Sequence, residues 1–262
     1  MSIARGVTQP VVELSEGVGK IGRGDYSARV SVKTRDELGR LAASFNRMAL
    51  GLEERDKVRD LLGKTVSPQI ASELVNSDVE VSGEVREATI LFSDLVDFTA
   101  LTAKFSPEQM VELLGSLFSR FDAIAARLGL EKIKTIGDGY MVAGGLPQPR
   151  PDHAMAVAEM ALAMRDAADG TAAMYDEPIR LRIGIHTGAL VAGVIGTHKF
   201  VYDVWGDTVN TAKRMETYGM SGRIHVSAAT QQILGDAFRF ERCGAREIKG
   251  KGRMETFFLD RP

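Results

Sequence analysis

Lys132–Val142, KIKTIGDGYMV, reads as two short strands joined by a tight turn. Lys132–Thr135 alternates charged and uncharged residues, as a half-buried strand does. Tyr140–Ala143 is aromatic and β-branched enough to be its partner. Asp138 sits between Gly137 and Gly139, and Asp-Gly between strand-like runs is a strong hairpin signal. The turn therefore presents one carboxylate at a sheet edge, on backbone that a ligand can approach closely. Lys134 lies four residues before it, inside the strand. Alone, Asp138 is an ordinary turn residue; its surroundings change that reading.

Upstream, Glu87–Ser93 is an apolar strand ending at Asp94, with Asp97 shortly after. Pro107 starts a helix with Met110, Leu113, Leu117 and Phe121 on one face. Downstream, Asp152–Ala168 is a second helix. Leu181–His186 is a strand, and Gly188 to Val194 is expected to return as its neighbour. Gly196–Lys199 turns into a strand at Phe200–Val204. Phe238–Arg246 and Thr256–Leu259 close around Lys249-Gly250-Lys251-Gly252. The order β, α, β, β, α, β predicts an α+β domain of the split-βαβ, ferredoxin-like kind. In that arrangement Asp94 and Asp138 lie side by side. Two such carboxylates repel unless a cation lies between them, and hard oxygen ligands favour magnesium or manganese. A pair of this kind holds two divalent ions for phosphoryl transfer. Asp203 leads into a helix with Asn210 and Arg214 on one face. There an amide can orient a ribose, and a cation can neutralise charge developing at a phosphate. Lys249 and Lys251 are candidate phosphate contacts or a plain basic turn.

Composition sets broad bounds. The chain has 262 residues, 44% of them hydrophobic and 26% charged, which suits a globular protein. A formal net charge of −2 gives no sign of a nucleic-acid partner. One cysteine, Cys243, excludes an intramolecular disulfide and a Cys-based zinc site. No apolar run approaches the length of a membrane span.

The first sixty residues carry heptad seams: Val11, Leu14, Val18 and Ile21, then Leu38, Leu41, Phe45, Met48 and Leu52. Pro10 is expected to open the first helix, Gly22–Asp25 to end it, and Ser27–Val32 to form an extended connector. Helices this short and narrow bury little alone, so this end predicts pairing with a second copy. A helix continues through Glu53–Lys64, a further short helix is expected around Ile70–Val75, and Asn76–Glu84 marks the boundary.

Residues 4–56 resemble a HAMP domain, an all-α parallel coiled coil. The likeness rests on Pro10 with Leu14, Gly24-Asp25-Tyr26, Asp36-Glu37-Leu38-Gly39, and Phe45-Asn46 with Met48. HAMP domains usually follow a transmembrane helix. The resemblance therefore implies a membrane anchor upstream, a place on the cytoplasmic side of the membrane, and no membrane contact within this chain. Residues 57–84 are then a linker helix.

Residues 85–262 resemble the catalytic domain of the class III nucleotidyl cyclases. The residues responsible are Phe92–Thr99, Lys134–Asp138, Arg182–Gly188, Tyr202–Gly206 with Asn210 and Arg214-Met215-Glu216, and Lys249–Gly252. The resemblance implies metal ligation by Asp94, Asp138 and the backbone carbonyl of Leu95, with two Mg2+ or Mn2+ ions per site. It implies purine reading by Lys134 and Asp203, the pair that goes with adenine. It implies transition-state roles for Asn210 and Arg214, a triphosphate contact at Lys249, and a phosphate contact at Arg182. Asp97 stands where the family often has Gly and is expected to point to solvent; His186 is expected to be structural. The family's sites lie between two domains arranged head to tail, which implies a homodimer with ATP as substrate and cyclic AMP and pyrophosphate as products. The alternatives are a guanylyl cyclase, a diguanylate cyclase or polymerase-like palm enzyme, and a non-catalytic dimeric signalling module. Lys134 and Asp203 argue against the first. The missing Gly-Gly-Asp/Glu-Glu-Phe turn argues against the second, and the full set of catalytic positions against the third.

Overall fold

The structure is a computed structural model that describes residues 2–31, 36–63, 83–175, 177–196 and 201–262. The chain divides into two compact units, Met1–Ser72 and Glu73–Pro262. The short helix expected around Ile70–Val75, most of the Asn76–Glu84 boundary and the turn residues 197–199 lie outside the described residues.

In the first unit, α1 spans Ser2–Gly22 and α2 spans Glu37–Gly63. Pro10 lies inside α1 rather than at its start; its ring removes one i→i−4 hydrogen bond, and helix continues on both sides. Within one chain Leu14, Val30, Ala42, Phe45 and Ala49 form the core, while the seam residues Val11, Val18, Leu41 and Met48 stay exposed. Ala28 and Val30 alternate inward along the connector, as the sequence pattern implied. Asn46 clamps Val30 at both backbone groups, 2.9 Å each way. A Cβ on Gly17 would stand 2.7 Å from Val30 Cγ2, so only glycine lets the connector lie this close.

The second unit contains β1 (Glu84–Leu95), α3 (Phe98–Thr102), α4 (Pro107–Leu128), β2 (Glu131–Ile136), β3 (Gly139–Gly144), α5 (His153–Tyr175), β4 (Leu181–Ile195), β5 (Val201–Trp205), α6 (Asp207–Thr217), β6 (Ile224–Ser227), α7 (Ala228–Leu234), β7 (Arg239–Ile248) and β8 (Gly252–Asp260). The sheet order is β2-β3-β1-β4-β6-β8-β7, with β5 also paired to β4. Its β2-β3-β1-β4 part is the split-βαβ core expected from the sequence. Helix α4 begins with a capping box between Ser106 and Gln109 and Pro107 in its first turn, and ends at Gly129 in the left-handed region. Its apolar face, with α5, covers Leu91, Val142, Ile183 and Ile185. Helix α5 runs seven residues past the expected end at Ala168. Asp166, Asp169 and Gly170 hide the pattern in the sequence, but Ala168 and Thr171 still face the core.

The other face carries a smaller core. Ile90, Phe92, Met141, Ala143, Leu190 and Val204 pack there against Ala212 of α6. Leu181–His186 and Gly188–Val194 are not two neighbouring strands but one continuous strand, paired to β1 from Leu181↔Leu95 to Ala192↔Glu84. Gly188 is not a turn. A Cβ there would stand 2.9 Å from Thr208 Oγ1, and a Cβ on Gly184 would overlap the backbone nitrogen of Glu216. Four residues apart, the two glycines share one face of the strand and seat the two ends of α6.

Gly184→Ala is therefore expected to lower Tm by about 5 °C or more, since overpacking costs roughly 1–3 kcal/mol and each kcal/mol shifts a domain of this size by about 2–4 °C. Gly188→Ala, whose nearest neighbour would be the Thr208 side chain at 2.9 Å rather than helix backbone, should cost less. Thermal denaturation of both chains checks this; a Gly184→Ala chain as stable as the parent would contradict the seating.

Candidate active site

The β2–β3 hairpin closes through Gly137-Asp138, with Ile136 opposite Gly139. The positive φ falls on Gly137, at +62°, and not on Asp138. Glycine at the first of two turn positions is the II′ pattern, so Gly137 rather than Asp138-Gly139 makes the turn. Gly139 lets the hairpin lie against β1: a Cβ there would stand 3.3 Å from Ser93 O and 3.5 Å from Asp94 Oδ1. Asp94, Leu95 and Asp138 then line one open depression, together with Asp97 and Phe98–Ala100. Burial foremost, then the negative charges of Asp138 and Glu216, pushes the Asp94 carboxyl up to about 6, while Lys213 opposes the shift.

Arg182 stands opposite Asp94 in the β1/β4 register. Its Nε donates to Glu216 Oε1 at 2.7 Å, and a terminal nitrogen lies 3.4 Å from Asp94 Oδ2. Its closer partner is thus Glu216, and Asp94 is left incompletely neutralised. Asp97 has φ +56°. This left-handed backbone explains why glycine suits the position, and aspartate is among the few other residues that tolerate it. Its side chain is exposed and makes no cap bond to α3.

Lys134 and Asp203 meet on the second face, Nζ to Oδ2 at 2.5 Å. A β-bulge between Lys132 and Lys134 makes this possible. Without it the two lysines, two residues apart, would share a face. Lys132 instead pairs with Asp122 beside Tyr140, and Lys134 turns to β5. There Val204 packs near Met141 and Ala143.

Asn210 and Arg214 lie on α6. The Arg214 guanidinium rests against Gly250, 3.4 Å from where a Cβ would be. Four cations crowd this helix and the β7–β8 turn, and the structure sorts them. Lys213 is paired with Glu216 at 2.6 Å, and Lys251 is paired with Asp207. Arg214 and Lys249 have no carboxylate partner among the described residues. His186 bonds through Nδ1 to Ser227 Oγ at 2.6 Å. It ends a buried chain of hydroxyls that runs through Thr230, Thr187 and Thr89 to His153. Burial, aided by Lys251, lowers it to about 4, in keeping with the structural role expected.

Arg182 marks Asp94's end of β4, and Gly206, at the start of α6, lies beside Leu190, with 3.6 Å from its would-be Cβ to the Leu190 Cα. The β7–β8 turn lies along α6: Lys251 pairs with Asp207 at its start, and Gly250 meets the Arg214 guanidinium.

Glu216 was missed as a site residue in sequence. Its burial could not be read there; the one available signal was its i,i+3 spacing from Lys213.

Because Asp94 has a folded-state value above its usual 3.8, its ionisation opposes folding as pH rises from about 4 to 6, and the loss persists above. In divalent-free buffer Asp94→Asn should therefore raise Tm at pH 7 and progressively less as pH falls to 4. A pH-independent difference would contradict this electrostatic account.

Residues 80–261 match the adenylate and guanylate cyclase catalytic domain family, and residues 2–54 match the HAMP domain. The chain is 42% identical over 208 residues to the human guanylate cyclase soluble subunit beta-2, covering 79% of this chain and 34% of that protein. It is 41% identical over 207 residues to an adenylate cyclase of Mycobacterium tuberculosis, covering 79% and 47%. The chain thus spans less than half the length of either relative. The crystal structure of the adenylyl cyclase CyaB from P. aeruginosa superposes with a TM-score of 0.67 at 26% identity, covering 70% of this chain and 97% of that one. With its catalytic motifs gathered on this fold, the chain belongs to the adenylate and guanylate cyclase catalytic-domain family, and a HAMP domain precedes that catalytic domain.

Proposed function

We propose that this chain is an adenylyl cyclase: it converts ATP to 3′,5′-cyclic AMP and pyrophosphate at sites shared across a homodimer and regulated through the HAMP domain. The observation that carries the adenine reading is the Lys134–Asp203 pair. Adenine offers an acceptor at N1 and a donor at N6, which an ammonium and a carboxylate satisfy. Guanine reverses both positions.

Asn210 would orient the ribose, Arg214 would stabilise charge developing on the α-phosphate, and Lys249 would hold the distal phosphates. Arg182 would contact phosphate once Asp94 is engaged elsewhere. The 3′-oxygen bonds to the α-phosphorus, the bond from that phosphorus to the pyrophosphate oxygen breaks, and the hydroxyl proton passes to solvent. Asp94 and Asp138 fit a pair of hard divalent cations: both offer oxygen, and they face each other across one depression with too little positive charge between them. Among the described residues no third acidic, histidine or cysteine side chain joins them in a metal-binding group. The Leu95 carbonyl, substrate and water would therefore complete the coordination. Mg2+ or Mn2+ there would activate the hydroxyl and offset triphosphate charge.

The shared site rests on the family resemblance, in which each site lies between two domains arranged head to tail. Two chains head to tail can bring one copy's carboxylates to the other's α6. The location at the cytoplasmic face of a membrane rests on the HAMP match alone; among the described residues no helix is long and apolar enough to cross one.

Purified chain with Mg2+ or Mn2+ should form cyclic AMP from ATP in clear preference to cyclic GMP from GTP. Cyclic GMP as the main product would favour the guanylyl alternative. Lys134→Glu with Asp203→Cys should lower kcat/KM for ATP about tenfold or more; unchanged ATP use would remove the pair from base reading. Asp138→Ala and Arg214→Ala chains, each inactive alone, should recover one site per heterodimer when mixed. Persistent inactivity in a confirmed heterodimer would refute the shared site.

A further inference from the structure

Glu216 is fully buried, and its two oxygens have different partners. Oε1 accepts from Arg182 Nε at 2.7 Å. Oε2 pairs with Lys213 Nζ at 2.6 Å and accepts from Thr217 Oγ1 at 3.2 Å. Arg182 reaches on to Asp94, and Lys213 lies over the Phe92 ring, 5.6 Å from its centroid. Gly184 has no Cβ because the Glu216 backbone occupies that space. Gly219 is confined likewise, since a Cβ there would stand 3.1 Å from Arg182 Cγ. One buried carboxylate thus joins the last turn of α6 to the ends of β1 and β4 beside the metal-site aspartates. A carboxylate placed there is strongly constrained, because losing either cation would leave buried charge uncompensated.

Resting on the shared-site reading, we propose that Glu216 is a positioning residue for both active sites of the dimer. Through Arg182 it serves the site to which its own chain gives Asp94 and Asp138. Through the tail of α6 it serves the other site, to which its chain gives Asn210 and Arg214. Neither function needs Glu216 to touch the nucleotide. Displacement of a phosphate-contacting arginine weakens substrate binding. Displacement of a helix whose residues act in the transition state slows turnover without weakening binding. The same side chain therefore has separable kinetic signatures, and substrate arriving at one site is mechanically linked to the helix serving the other.

The one-site heterodimer of 262-residue chains separates them. The Arg214→Ala chain supplies only the carboxylate half; the Asp138→Ala chain supplies only the α6 half. Glu216→Gln is placed in one chain at a time, and ATP turnover is measured with Mn2+. In the Arg214→Ala chain it should raise KM about tenfold with a smaller change in kcat. In the Asp138→Ala chain it should lower kcat about tenfold with KM nearly unchanged. Equal changes in both arms, as general loss of packing would give, overturn the proposal, as does no change in either arm. Native mass spectrometry confirms assembly. Should the Gln chain fail to enter the heterodimer, Glu216→Asp, which keeps the charge and withdraws it by one methylene, is read in the same two arms against the same criteria. Inactivity of the parent heterodimer would instead defeat the shared-site reading itself.

Discussion

Helix α6 can lie flat on the sheet because β4 has no side chain at Gly184 or Gly188. Much of the site depends on that contact. It sets the height of Asn210 and Arg214 above the strands and brings Glu216 under Arg182. It also puts Asp207 where Lys251 can tie down the β7–β8 turn. The smaller core on this face, Ile90, Phe92 and Leu190 against Ala212, supplies the burial that holds the helix. The glycines supply the room. Packing alone would tolerate a helix an ångström higher, but on the proposed reading Asn210 and Arg214 would then miss a transferring phosphate.

Charge on this surface is divided between structure and chemistry. Lys213, Lys251 and Lys132 have carboxylate partners within the chain, so their charge is largely committed. Among the described residues Arg214 and Lys249 do not, and burial with the negative charges of Asp138 and Glu216 raises the Asp94 carboxyl despite Lys213. A fold selected only for stability would pair these groups or remove them. Uncompensated charge of opposite sign on two separate neighbourhoods suits a ligand that brings both a polyanion and divalent cations, as a nucleotide triphosphate does.

The hairpin, the strand ending at Asp94, the start of α4 at Pro107 and the βαββαβ order were legible because each follows from short-range pattern. The readings that failed turn on close approach. Gly188 looks like a turn when only the chain is visible; it is a strand residue beneath a helix. Pro10 looks like a helix start, yet α1 runs through it. The β-bulge that sends Lys132 and Lys134 to opposite faces leaves no mark in composition. Glu216 reads as one more charge on a polar helix, and nothing local says it is buried. Asp97 is the instructive intermediate: its departure from glycine was visible in the sequence, but the physical demand behind the position, a φ of +56°, was not.

Similarity of about the same degree to a guanylate cyclase and to an adenylate cyclase shows that overall identity carries no information about the base. Discrimination between purines is a difference between two binding energies. It resides where adenine and guanine present opposite donors and acceptors, because a buried polar group facing its own kind is left unpaired. On the proposed reading Lys134 would reach that edge through the bulge in β2, and Asp203, its partner at 2.5 Å, would reach it from β5. Asp203 also accepts a hydrogen bond from the Val204 amide at 2.9 Å, which fixes the carboxylate before any base arrives. Lys134, on a longer and more exposed stem, is the member free to swing. On the proposed reading the pair opens by moving Lys134 from Asp203 to adenine N1. The rigid acceptor stays at N6, so rejection of guanine depends most on Asp203, whose geometry the backbone enforces.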